Sequence, residues 1–136
     1  MHWFTLAFLV AVVLSTGIRL WLAGRHMRHV RANRDHVPAE FAESVTLASH
    51  QKAADYTVAK TRLSVLEIAV SALVLLAFTL GGGVQALFDA WSKAFDPAGY
   101  AHGIALILSI VAIGAIVDLP FTIHRTFTIE QRFGFN

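Results

Sequence analysis

Three apolar blocks, near residues 3–22, 63–80 and 101–121, constrain this chain more than anything else in it. Each is about as long as a helix must be to cross a bilayer, roughly 20 residues at about 1.5 Å of rise each. Inside a bilayer no water is present to satisfy backbone groups, so such a block must be helical. Apolar residues make up 56% of the chain and charged residues only 15%, against about half and a quarter in ordinary soluble domains. The expected fold class is all-α: a polytopic membrane protein with three transmembrane helices. A long cytoplasmic helical loop would join the first two, and a short outer amphipathic helix the second and third. There is no cysteine, which excludes a disulfide frame and a thiolate metal site.

The charge pattern orients the spans. Residues 1–18 hold no Lys or Arg, whereas a cleaved signal peptide carries positive charge ahead of its apolar core. The first block therefore reads as a retained anchor, with Trp3 and Trp21 at its two interfaces and Arg19 snorkelling at its end. Seven basic residues (Arg25, Arg28, Arg31, Arg34, Lys52, Lys60 and Arg62) lie between the first and second spans, and Lys93 alone between the second and third. Basic loops stay inside. That places the N-terminus outside, the long loop inside and the C-terminus, with Arg125 and Arg132, inside. General composition, together with the family likeness described below, suggests a bacterial inner membrane. The basic run suits anionic lipid headgroups. Nucleic acid is not an expected partner, because no recognisable binding module accompanies the charge. His26, His29 and His36 fall in that run, but their arginine neighbours repel a dication and their spacing fits no zinc signature.

Punctuation is sparse. Val37-Pro38 permits a fresh helix start, and from Ala39 to Leu80 neither Pro nor Gly interrupts a long helix. Gly81-Gly82-Gly83 ends it and is no phosphate loop, since no Gly-Lys-Ser/Thr follows. Val84, Leu87, Phe88, Trp91 and Phe95 recur at helical spacing, which fits a surface helix or one packed against the spans. Asp96-Pro97-Ala98-Gly99 reads as a turn. Pro120 should kink or end the third helix. Two acids lie within the spans, Glu67 and Asp118. An acid there is costly unless it faces protein or water, so both are candidates for intramembrane ion pairing. Lys60, Arg62 and Arg125 lie near the level of Glu67.

Two stretches resemble a known family. The closing run, Phe121 to Asn136, is FTIHRTFTIEQRFGFN. It resembles the motif that closes the N-terminal membrane region of CAAX prenyl proteases, the integral-membrane zinc metallopeptidases that process prenylated proteins. Arg125, Thr126, Phe127, Ile129, Glu130, Phe133, Gly134, Phe135 and Asn136 match it. The polar run before the second span, His50 to Leu63, resembles the family's Tyr-Thr-x-x-Lys element, with Tyr56 and Lys60 one turn apart on a helix face. The two stretches cover between a fifth and a quarter of the chain. The resemblance implies that residues 1–136 are a single N-terminal transmembrane region. It would form part of a membrane chamber and position catalytic helices that lie beyond Asn136. It implies zinc as cofactor of the whole protein, with the rest of the same chain and a peptide or prenylated-protein substrate as partners. No His here is followed by Glu, so the His-Glu-x-x-His helix that binds and uses zinc is missing. No catalytic or metal-ligating residue is expected in this stretch, and it should carry no cofactor and no activity alone. A rival reading is a three-span protein complete in itself, an assembly factor or transporter subunit.

The charge asymmetry makes a direct prediction. A topology reporter fused after Gly82 should report the outside and one fused after Asn33 the cytoplasm; the reverse pattern would overturn the orientation.

Overall fold

The computed structural model describes residues 2–134, and within them helix is the regular secondary structure, with no strand. Helix α1 spans Trp3–Ala32, α2 Leu47–Thr79, α3 Gly83–Trp91 and α4 Tyr100–His124. A π-helical turn, Arg125–Glu130, follows α4 directly and leads into the short α5, Gln131–Phe133. α1, α2 and the continuous stretch from Tyr100 to Phe133 are long and apolar enough to cross a membrane. Their apolar windows are not buried within the protein. Leu73, Ile107 and Val111 each keep more than 60% of their surface uncovered. In water such side chains would forgo about 1.5–3 kcal/mol each; in a bilayer lipid covers them.

Helix boundaries follow local chemistry. α1 does not stop with its apolar block but continues through the arginine run to Ala32, so Arg19 lies mid-helix and the end is polar. Asn33 closes it, its side-chain amide donating to the His29 carbonyl at 2.9 Å. The unbroken helix expected from Ala39 is instead a single 3-10 turn, Ala39–Phe41, and a fresh start at Leu47. Thr46 explains the restart: its Oγ1 accepts from the Ser49 backbone N–H at 3.2 Å, an N-cap that satisfies one of the first unpaired donors. At the other end of α2 the glycine run acts as expected. Gly82 sits in the left-handed region at φ 80°. A Cβ on Gly81 would fall 2.6 Å from the Ala77 carbonyl oxygen.

Pro120 does not end the third helix, one of the two outcomes expected of it. It lies inside α4, and the helix runs on to His124 and into the π-turn. Proline deletes one amide donor, and here that single loss does not end the helix.

The chain divides into two compact units. Val70–Thr122 forms one; the described residues before and after it form the other. In the Val70–Thr122 unit, α3 is the short amphipathic helix expected, held by side chains of α4. Trp91 Nε1 donates to Ser109 Oγ at 2.9 Å. His102 is buried, its Nε2 3.1 Å from the Phe88 carbonyl and 3.2 Å from Ser92 Oγ. The Asp96 turn closes through Gly99 N–H to the Asp96 carbonyl at 2.9 Å. Asp118 is exposed on α4 and has no ion-pair partner among the described residues, unlike the pairing expected of it. It borders a cavity of about 280 Å³ with Ser71 and Gly114.

Candidate functional site

The other unit gathers the polar half of α2 and the chain's closing run. Its contacts join the two stretches that the sequence marked. Phe133 of α5 packs edge-on against Tyr56 of α2, centroids 5.8 Å apart and planes at 71°, a favoured aromatic geometry. The Lys60 ammonium lies 5.7 Å from the Tyr56 ring centre, one helical turn along. Arg132 lies the same distance over Phe133. Ile129, on the π-turn, is among the few buried residues of the chain, as is Ala54 of α2.

One ion pair ties this arrangement to the membrane. Arg125 Nη2 donates to Glu67 Oε2 at 2.8 Å, and both side chains are about 30% exposed. Arg125 Nε is buried with no hydrogen-bond partner. The guanidinium therefore makes one bond to the carboxylate rather than the two-pronged contact it is capable of. Lys60 is not the partner of Glu67; its ammonium is over Tyr56.

The geometry of the closing run comes from the π-turn. The Gln131 N–H reaches back five residues to the Thr126 carbonyl instead of four. Turns of this type are uncommon and recur at functional positions. Gly134 then terminates α5 at φ 65°, where a side chain would be strained. A Cβ at this position would meet only the Lys52 Nζ, 3.5 Å away, so glycine is needed here for its backbone angle rather than for space. Phe127 is 64% exposed. Glu130 is half-buried without an ion-pair or hydrogen-bond partner among the described residues. Phe135 and Asn136 lie outside the described residues.

The basic loop is braced by a contact that the sequence analysis did not identify. Arg34 donates through Nε and Nη2 to the two carboxylate oxygens of Asp55, both at 2.8 Å. That bidentate bond, with Coulomb attraction behind it, holds the Asp55 carboxyl below its usual range. Its contribution is present at neutral pH and is lost as pH falls through that depressed value. No local spacing signals a pair 21 residues apart. His29 and His36 come together with His50 around a cavity of about 570 Å³; His26 does not line it. Among the described residues no group of three or more His, Asp or Glu side chains is placed to hold a metal ion.

Comparison with known proteins agrees with the two marked stretches. Residues 26–136 match the model of a family described as CAAX prenyl protease N-terminal, five membrane helices. The chain is 30% identical, over 94% of its length, to a CAAX prenyl protease 1 homolog of Caenorhabditis elegans, and covers 29% of that protein. It is 24% identical, over 95% of its length, to a CAAX prenyl protease 1 homolog of Mus musculus, again covering 29%. The chain thus spans less than a third of these curated relatives. No solved structure matches it.

The Glu67–Arg125 pair gives a quantitative expectation. Glu67→Gln and Arg125→Gln should each destabilise the chain in micelles, and the double variant should cost less than their sum. A coupling of about 1–3 kcal/mol is expected, below that of a fully buried pair because both groups are partly exposed. Strict additivity in denaturant unfolding would mean that the pair is not formed.

Proposed function

The chain belongs to the CAAX prenyl protease N-terminal family, and we propose that it is the front membrane part of a zinc metalloendopeptidase whose catalytic helices lie beyond Asn136. The observation that carries this is the packing of the closing run. The stretch that resembles the family's motif is folded onto the polar half of α2, through Tyr56 and Phe133, and capped by a left-handed Gly134. A run held in this way gives whatever follows it a defined starting direction.

On this reading the residues of the chain act by position. α1, α2 and α4 anchor the enzyme and form part of the wall of a membrane chamber. Glu67 and Arg125 hold the closing run at a set depth. The π-turn and Gly134 aim the next segment. Zinc would supply the activated water of peptide hydrolysis when bound, but the described residues offer no ligand set for it, so no step at the metal is assigned to this chain. A peptide or prenylated-protein substrate would enter from the lipid or the basic side. An inner-membrane location, N-terminus outside and C-terminus inside, completes the proposal.

The reading frame past Asn136 is the test. Continuation into a helix bearing His-Glu-x-x-His supports the proposal; a stop codon would instead favour a self-contained three-span assembly or transport subunit. In the longer protein, Gly134→Val should reduce proteolysis or membrane abundance at least tenfold, because valine is strained at φ 65°. Gln131→Ala, on the exposed side of α5, should stay within twofold. Equal behaviour of the two variants in a peptide-cleavage assay and a membrane blot would make the closing run a mere linker.

A further inference from the structure

A second feature of the same unit lies beside the packed face just described. α2 and the closing run enclose a cavity of about 420 Å³ whose polar lining is Arg62, His124, Thr128 and Arg132. Leu63 and Ile129 contribute to its apolar wall. Arg62 and Arg132 are both exposed, and neither has an ion-pair partner among the described residues. Among the described residues, the neighbouring carboxylates are engaged elsewhere or make no bond to them. Glu67 is bonded to Arg125 and Asp55 to Arg34. Glu130 pairs with neither guanidinium. Arg132 acts on Asp55 only through space, as the weakest of the influences on that group. Among the described residues, two guanidiniums, a hydroxyl and an imidazole thus line one hollow with no carboxylate bonded to them.

The depth of the hollow narrows what the anion is. Arg62 immediately precedes the second apolar block, and His124 follows the third by three residues. Both mark the same boundary of the membrane, the level at which lipid phosphates lie. The lining is polar at the guanidiniums and apolar at Leu63 and Ile129, matching a headgroup joined to its glycerol and chains. We propose that this cavity is a discrete binding site for the phosphate of an anionic phospholipid, held by Arg62 and Arg132 and completed by Thr128 and His124. Guanidinium suits this role, because its fork matches phosphate oxygens two at a time. The site differs from the diffuse attraction of the arginine run on α1, which needs no cavity. It rests on this chain's own geometry and not on the reading of its parent enzyme.

The 136-residue chain in neutral detergent is enough to test it. Native mass spectrometry with equal amounts of phosphatidylglycerol and phosphatidylcholine should show at least a fivefold preference for the anionic lipid. Arg62→Gln with Arg132→Gln should remove most of that preference, whereas Arg25→Gln with Arg28→Gln, an equal loss of charge that takes away only diffuse attraction, should leave most of it. Arg62→Lys with Arg132→Lys should retain part of it, which separates loss of the ligand from loss of the fold. If both glutamine pairs weaken the preference equally, attraction is diffuse and the site is refuted. If inorganic phosphate protects the chain against heat as well as phosphatidylglycerol does, and requires the same arginines, the cavity takes free phosphate and the lipid assignment falls.

Discussion

The absence of water inside a bilayer is the constraint on which this structure depends. A backbone crossing that region must satisfy its own hydrogen bonds, and only a continuous helix does so segment by segment. Hence α2 and α4 run unbroken through their apolar blocks, and proline within α4 costs one bond without ending the helix. The same constraint removes the usual signal of a core. His102, Ala54 and Ile129 are the buried residues among those described, because helices of this length and apolarity have no need to bury their side chains in one another when a bilayer surrounds them. What protein–protein contact there is falls on polar and aromatic side chains, which is why each such contact carries more information here than in a soluble domain.

That division decides what could be read from the residues alone. The three spans, the glycine stop after α2, the short α3 and the Asp96 turn are properties of composition and local chemistry, and each is found where the sequence places it. Glu67 was legible as an acid needing a partner; which of three basic residues supplied it was not, because that depends on how α2 meets a segment some 60 residues later. Asp118 shows the limit of the same argument. Its cost in an apolar helix is as clear from sequence as that of Glu67, yet it has no ion pair among the described residues.

The elements that were missed are of two kinds. Thr46 was legible in principle, since threonine is a preferred N-cap residue. Arg34–Asp55 and the environment of His102 were not legible, because their partners are 21 and 10–14 residues distant and set by tertiary packing. The overlap of the resemblance with the packed face is more instructive. Tyr56, Lys60, Arg125 and Phe133 were marked by likeness to a family motif, and the structure brings all four to contacts within one unit. Tyr56 meets Lys60 and Phe133 directly, while Arg125 bonds Glu67, an acid that the resemblance did not mark.

The π-turn accounts for how one short run reaches two points on α2. Tyr56 and Glu67 are 11 residues apart, three helical turns, so they lie within about 20° of each other on one face of α2. Their partners, Phe133 and Arg125, are eight apart. In an uninterrupted α-helix eight residues leave side chains about 80° off a common face, too far for both to meet a single stripe. A π-turn absorbs one residue, so the separation acts as seven and the misalignment falls to about 20°. The Gln131 to Thr126 hydrogen bond is that absorbed residue made visible. A plain α-helical ending to α4 would therefore keep either the ion pair at Glu67 or the aromatic contact at Tyr56, but not both. The rare turn is the device by which a helix leaving the membrane is bonded to its neighbour at the apolar boundary and again at its own end.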